Sequence, residues 1–230
     1  MDATQAAPVV TIDGPSGSGK GTVSRGVARR IGWHLLDSGA LYRLVALSGR
    51  LQGVPAGDMA GHAALARAMD VEFGTDERGA EQIRLGGVDV TADVRSEETG
   101  QGASRVAASA PVRDALIERQ RAFARAPGLV ADGRDMGTVI FPAARLKIYL
   151  TATAEERALR RYKQLKEKGS GANLAALSRE IAERDQRDST REVAPLKPAH
   201  DARIIDSTGM NIAQVVEAVL AAGRAQGLWG

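Results

Sequence analysis

Lys20 is where chemistry is easiest to place in this chain. It lies within the run Gly14-Pro15-Ser16-Gly17-Ser18-Gly19-Lys20-Gly21-Thr22, where four glycines surround a single cation. Without a Cβ in the way, successive backbone N–H groups turn inward and cradle an anion. A helix starting at the loop adds the positive end of its dipole. All nine residues are therefore candidates for a nucleotide's phosphates. Lys20 would bridge the β- and γ-phosphates, and Thr22 would face a Mg²⁺ ion, directly or through water. The general phosphate-loop pattern puts a hydroxyl straight after the lysine. Here Gly21 intervenes and the hydroxyl comes at Thr22. A glycine-rich turn with an exposed lysine is the bland alternative, and the flanking pattern argues against it.

Phosphoryl transfer asks a protein for placement and positive charge more than for covalent help. Asp132 ends the apolar run Gly128-Leu129-Val130-Ala131, the position at which a Mg²⁺-organising carboxylate sits in phosphate-loop enzymes. Arg134 and Asp135 follow on the same loop. Ser38 and Arg43 follow a second short strand and suggest a second anion site, although an N-cap with a solvated arginine would look the same. Arg43, Arg134, Arg184 and Arg191 all fall near loop ends. Water as acceptor would not need such a set, so it favours a kinase over a hydrolase. His34, His62 and His200 are scattered, and no nucleophile–histidine–carboxylate or paired-carboxylate pattern is visible.

The elements that must position these residues alternate between strand and helix. Val9–Ile12 reads as a buried strand, and Val23, Val27 and Ile31 give the next helix its stripe. Trp33–Asp37 is a second strand, followed by a helix carrying Leu41, Leu44, Val45 and Leu51. After a helix at about 57–70 the period changes to two: Val71–Phe73, then Glu81–Leu85 and Val88–Val90 around the turn Gly86-Gly87. This antiparallel patch reads as an inserted lobe at about 50–100. Helices at 96–109 and 111–126 precede the Gly128–Ala131 strand, and Lys147–Thr151 is the next strand. Thr153 to Glu156 forms a capping box, opening a helix rich in Arg157, Arg160, Arg161, Lys163, Lys166 and Lys168. Gly169-Ser170-Gly171 ends it before a helix at about 172–187. This basic pair could be a lid over triphosphate, with Arg157 and Arg161 toward ATP, or a solvated hairpin. Ala202–Asp206 is the last strand. Asn211 and Gln214 cap a final helix with the stripe Ile212, Val215, Val216, Val219 and Leu220, and the tail after Gly223 is expected to fray.

The chain has 230 residues, a formal charge of +3 and no cysteine. It can bury a core without disulfides, and thiol redox chemistry and cysteine-held metals are excluded. Aromatic residues make up only 3%, too few for stacking platforms on single-stranded nucleic acid. Met1–Ala7 lacks the basic and apolar regions of a signal peptide, and no run is long enough to span a membrane. A cytoplasmic location is expected.

Several stretches together resemble bacterial-type cytidylate kinases of the nucleoside-monophosphate kinase family. They are Ile12 to Thr22, Leu36-Asp37-Ser38-Gly39-Ala40, Ala131-Asp132-Gly133-Arg134-Asp135-Met136-Gly137-Thr138, Glu183-Arg184-Asp185, and Val193-Ala194-Pro195-Leu196. The resemblance runs from about Val9 to Thr208. It implies transfer of the γ-phosphoryl group of ATP to CMP or dCMP with Mg²⁺. Ser38 and Arg43 would lie in the monophosphate site, with Arg134 and Arg191 joining Arg43 around the acceptor phosphate. Ser104, Arg113 and Asp135 match positions that read cytosine, and Arg184 and Asp188 match positions around the sugar. The chemistry is consistent. A carboxylate accepts from the N4 amino group of cytosine, while an arginine and a serine donate to N3 and O2. Uracil presents a carbonyl in place of that amino group. Lys20, Asp132, Arg134 and Arg184 are the catalytic candidates.

The expected fold is a three-layer α/β phosphate-loop kinase with a central parallel sheet. Its core spans about 8–50, 100–152 and 200–226, with the monophosphate lobe at about 50–100 and a lid at about 153–190. The expected partners are ATP and CMP or dCMP, with no nucleic acid, no membrane and a monomeric chain. A kinase for another small acceptor, such as UMP or shikimate, and a nucleotide-binding regulatory module are the competing readings.

Overall fold

The computed structural model describes residues 7–77, 80–167, 169 and 171–229. Met1–Ala6, Lys168 and Ser170, which the leader and lid-turn readings involve, lie outside these residues. Along the chain run β1 (Val9–Asp13), α1 (Lys20–Ile31), β2 (His34–Asp37), α2 (Ser38–Leu51), α3 (Met59–Ala68), β3 (Val71–Thr75), β4 (Glu81–Leu85), β5 (Val88–Asp89), α4 (Thr91–Val94), α5 (Glu97–Val106) and α6 (Ala110–Arg121). Then come β6 (Leu129–Gly133), a π-helical turn (Met136–Ile140), β7 (Leu146–Thr151), α7 (Ala154–Glu167), α8 (Leu174–Thr190), β8 (Arg203–Asp206) and α9 (Ile212–Ala225). Two compact units result, one of Met1–Asp37 with Gln120–Gly230, the other of Ser38–Arg119.

The first unit is built on a five-stranded sheet in the order β2-β6-β1-β7-β8, with every pairing parallel. All residues of β1 and β6 are buried, because a parallel sheet is covered on both faces and its strands read as continuous apolar runs. Val10, Ile12, Val130, Ile148 and Leu150 pack on one face against Val23 and Val27 of α1 and Val215, Val216 and Val219 of α9. Thr11, Leu129, Ala131 and Lys147, of the other parity, are equally buried, and the π-helical turn lies over Thr11 and Lys147 at Gly137. This is the expected α/β class with a central parallel sheet. α7 and α8, which cover the expected lid segment, pack against each other.

The second unit contains the antiparallel sheet β3-β4-β5, and residues 50–100 fall within it. Leu85 pairs with Val88 across Gly86 and Gly87, both at positive φ (56° and 78°). Such a two-residue turn demands that backbone. Ile83 fills the inward face of β4. His62 is buried, with its Nδ1 against the Asp58 carbonyl at 2.7 Å, which is a packing role.

Two expectations about the last helix change. Ile212 is 42% exposed, because it sits directly after the Asn211 cap, before the stripe turns inward. Nor does the tail fray. Trp229 folds back, its Nε1 donating to the Leu220 carbonyl at 3.1 Å. Its ring meets Trp33 edge-on, with centroids 5.5 Å apart. Gly223 makes the room, since a Cβ there would lie 1.7 Å from the Trp229 ring. Gly223→Ala should therefore lower the melting temperature even though alanine favours helix by about 1 kcal/mol, because expelling the ring costs about 1–3 kcal/mol. A melting curve unchanged or shifted upward would show that Trp229 contributes nothing.

Candidate active site

In the first unit the site lies at the carboxyl edge of the sheet. The register sets Asp37 beside Asp132, and Ile12 beside Asp132, so Asp13 is one step further along. Three aspartates thus lie at the carboxyl ends of three adjacent strands. The phosphate loop leaves β1 at Gly14, where a Cβ would meet the Leu150 carbonyl oxygen at 2.0 Å. Only glycine lets the chain pass that close. Gly19 precedes α1 at φ 87°, and Lys20 opens the helix with its Nζ donating to the Pro15 carbonyl at 3.0 Å.

The loop after β6 is held from β1. Both oxygens of the Asp13 carboxylate accept backbone N–H bonds at 2.8 Å, one from Met136 and one from Gly137. Burial pushes the Asp13 carboxyl up to about 6 against those two bonds. Arg134, on the same loop, donates through Nε to Asp188 at 2.9 Å. Burial opposes the charge on Asp188, but Arg134 and then Arg184 hold it below the usual carboxylate range. Arg191 lies 3.5 Å from the Asp135 carboxylate, with both side chains almost wholly buried. Lys20 is pulled well below its ordinary value, first by burial and then by Arg134, with Asp132 acting the other way. Asp132 is pushed up by burial, with Lys20 opposing and Asp37 reinforcing. Lys20, Asp132, Arg134, Arg184 and Asp188 therefore sit within one another's electrostatic reach.

The Asp132 Oδ1 and the Ser18 hydroxyl are buried without a hydrogen-bond partner in the protein. An unfilled carboxylate oxygen beside the phosphate loop suits a divalent ion. Among the described residues no cluster of three or more histidines and carboxylates could hold a metal unaided. The donor set fits an ion brought in mainly on a nucleotide's phosphates, as magnesium commonly is. Thr22 is exposed in the first turn of α1. The position aimed at Asp132 is Gly21, whose Cβ would come 3.2 Å from Oδ2.

Arg157 departs further from expectation. It is 5% exposed and spends its guanidinium on protein: Nε on the Ala152 carbonyl, Nη1 on the Ser16 carbonyl, and Nη1 and Nη2 on Asp185. It reaches the outside of the loop, not the nucleotide side. Arg161 is half-buried on the same helix.

The second unit gathers Arg43, Ser104 and Arg113 on α2, α5 and α6, with Ser38 buried at the start of α2. Arg43 donates to the Val94 and Ser96 carbonyls, each at 2.8 Å, across Gly100, where a Cβ would collide with its guanidinium. Arg113 is buried over the Tyr42 ring, 5.7 Å from its centroid. The Ser104 hydroxyl is buried without a hydrogen-bond partner in the protein. Asp13, Arg160 and Asp185 belong to the machinery of the first unit but had no role from sequence. Asp185 stands inside the quoted Glu-Arg-Asp stretch, and Asp13 ends a strand before the glycine loop. Both signals were available.

Comparison with known proteins adds one strong result. Residues 10–225 match the family profile described as cytidylate kinase. A protein of Marinomonas sp. (strain MWYL1) named cytidylate kinase is 54% identical over 221 residues, covering 96% of this chain and 97% of that one. One of the same name from Pseudomonas aeruginosa (strain UCBPP-PA14) is 57% identical over 223 residues, covering 96% and 97%.

The Asp13 anchor yields a test with a definite sign. Its folded value, about 6, lies above the ordinary 3.8, so the folded chain holds the proton more tightly. Stability from this group is full below about pH 4 and is lost as pH rises to about 6. Asp13→Asn should remove that slope from the pH–stability curve. It leaves one oxygen for two N–H donors, so it should also cost about 1–3 kcal/mol at low pH. Parallel curves for parent and variant between pH 4 and 6 would refute the assignment.

Proposed function

The chain belongs to the cytidylate kinase family, and on that premise we propose that it transfers the γ-phosphoryl group of ATP to CMP or dCMP, giving ADP and CDP or dCDP. The observation that carries this reading is the cluster of Lys20, Asp132, Arg134, Arg184 and Asp188. A phosphate-loop lysine shares its surroundings with two arginines that a hydrolysing site would not require. The backbone N–H groups of Gly14–Thr22 hold the donor's phosphates, with Lys20 as their cation. Arg134 and Arg184 offset the charge spread over the migrating group, a term that costs no reorganisation when the donors are fixed in advance. Asp188 fixes Arg134. Asp132 is the carboxylate that would hold a Mg²⁺ ion arriving with ATP, which would supply positive charge to offset that of the phosphates.

The acceptor roles are those that the resemblance to this family implies. Arg43, Arg134 and Arg191 take the monophosphate with Ser38. Ser104, Arg113 and Asp135 read the cytosine edge, and Arg184 and Asp188 the sugar. The unpartnered hydroxyl of Ser104 supports this, since a base would complete it. Segments 50–100 and 153–190 are, on this reading, the monophosphate lobe and the lid. Among the described residues no helix is long and apolar enough to cross a membrane.

ADP release with ATP, Mg²⁺ and each of CMP, dCMP, UMP, AMP and GMP tests the reaction. CMP and dCMP should be turned over far faster than the others, and equal rates on UMP would refute the base-reading set. Lys20→Ala should cut kcat by roughly 10²–10³-fold, the scale of losing one charge-stabilising donor, and retained turnover would sink the phosphate-loop assignment. Asp135→Ala should narrow the CMP-to-UMP ratio of kcat/KM by roughly 10-fold or more while leaving the KM for ATP near its parent value. An unchanged ratio would remove Asp135 from base recognition.

A further inference from the structure

A loop that turns its N–H groups inward toward a phosphate must turn its carbonyl groups outward, and those carbonyls need donors of their own. In this chain several of the donors are cationic. Lys20 takes the Pro15 carbonyl. Arg157 Nη1 donates to the Ser16 carbonyl at 2.9 Å, and Arg160 Nη1 to the Ser18 carbonyl at 3.3 Å. Arg157 and Arg160 are three residues apart on α7, hence on one face of that helix. α7 also abuts the loop directly, because a Cβ on Gly17 would lie 3.0 Å from the Cβ of Arg157.

Each arginine is tied to a second element. Arg157 grips both oxygens of Asp185, with its side chain 6% exposed. Asp185 follows Arg184 on α8 and precedes Asp188, the partner of Arg134, by three residues. Arg160 donates to the Ser207 hydroxyl at 3.0 Å and to the Ser207 carbonyl at 2.6 Å, just beyond β8. Glu156 completes it at 2.9 Å.

We propose that Arg157 is a positioning residue that sets the phosphate loop and α8 in one register, by holding the Ser16 carbonyl and the Asp185 carboxylate on a single guanidinium, with Arg160 as a second strut behind the loop at Ser18. The planar fork is required, because a lysine ammonium in its place cannot serve a carbonyl and two carboxylate oxygens in those fixed directions. Neither arginine touches substrate. Their effect passes through the loop's peptide groups, whose N–H donors keep their aim while the carbonyls are pinned, and through the placement of Arg184. The inference rests on reading Gly14–Thr22 as the loop that binds ATP.

The test is ADP binding by calorimetry, steady-state kinetics with ATP and CMP, and a melting temperature, for Arg157→Lys, Asp185→Asn, their double variant and Arg160→Lys. All measurements are made well below each melting temperature. Each single variant should raise the Kd for ADP and the KM for ATP by roughly 10-fold, within the range that small misplacements at a reacting centre cost. Arg157→Lys and Asp185→Asn should also lower kcat. The double variant should be no worse than the worse single one, because the two residues act as one unit. A lower melting temperature with Kd and KM within twofold of the parent would overturn the proposal, leaving a purely structural pair. So would losses that multiply in the double variant. Should Arg157→Lys fail to fold, Arg160→Lys must still weaken ADP binding, and its failure to do so equally overturns the proposal. Lys20→Ala separates the two readings. If it leaves ADP binding and turnover intact, the phosphate-loop reading itself fails. If it abolishes them while the arginine variants behave as the parent, only the positioning role fails.

Discussion

The structure depends on charge being held out of water at one edge of a parallel sheet. Asp13, Asp37 and Asp132 lie at the carboxyl ends of neighbouring strands, and burial disfavours ionisation of Asp13 and Asp132. Such an edge survives only if each carboxylate is given donors or a cation. Asp13 receives two backbone N–H bonds and in return fixes the start of the Met136–Ile140 turn. That grip sets where Arg134 and Asp135 leave the loop.

The cations follow from the same requirement. Lys20 opposes the burial of Asp132, Arg134 is given to Asp188, and Arg157 to Asp185. Breaking one partner of a buried pair leaves an uncompensated charge, which costs far more than the pair contributes. The site is therefore an interlocked set. Its positive members are already in place, and their burial leaves the Lys20 ammonium under-solvated.

Much of this was legible in the sequence. Val9–Ile12 and Leu129–Ala131 announce buried strands because a sheet covered on both faces needs uninterrupted apolar runs. Gly86-Gly87 announces a hairpin because few other residues accept that backbone. What escaped was set by contacts distant in sequence. A basic helix such as α7 looks solvated, and nothing local says that Arg157 and Arg160 turn inward to carbonyls some 140 positions away. Trp229 looked like part of a loose tail until Gly223 and Trp33 were seen to receive it. A motif gives residue types, while the angle at which a helix leaves its loop decides which one faces the carboxylate.

The pairing of Trp33 with Trp229 has a practical side. The chain has two tryptophans, and both belong to the first compact unit, in edge contact at the junction of β2 and the end of α9. Indole fluorescence of this protein is therefore a single-location signal. It reports melting of the unit that carries the parallel sheet and is blind to events confined to Ser38–Arg119. A denaturation followed by tryptophan emission and one followed by backbone circular dichroism would coincide only if the two units unfold together.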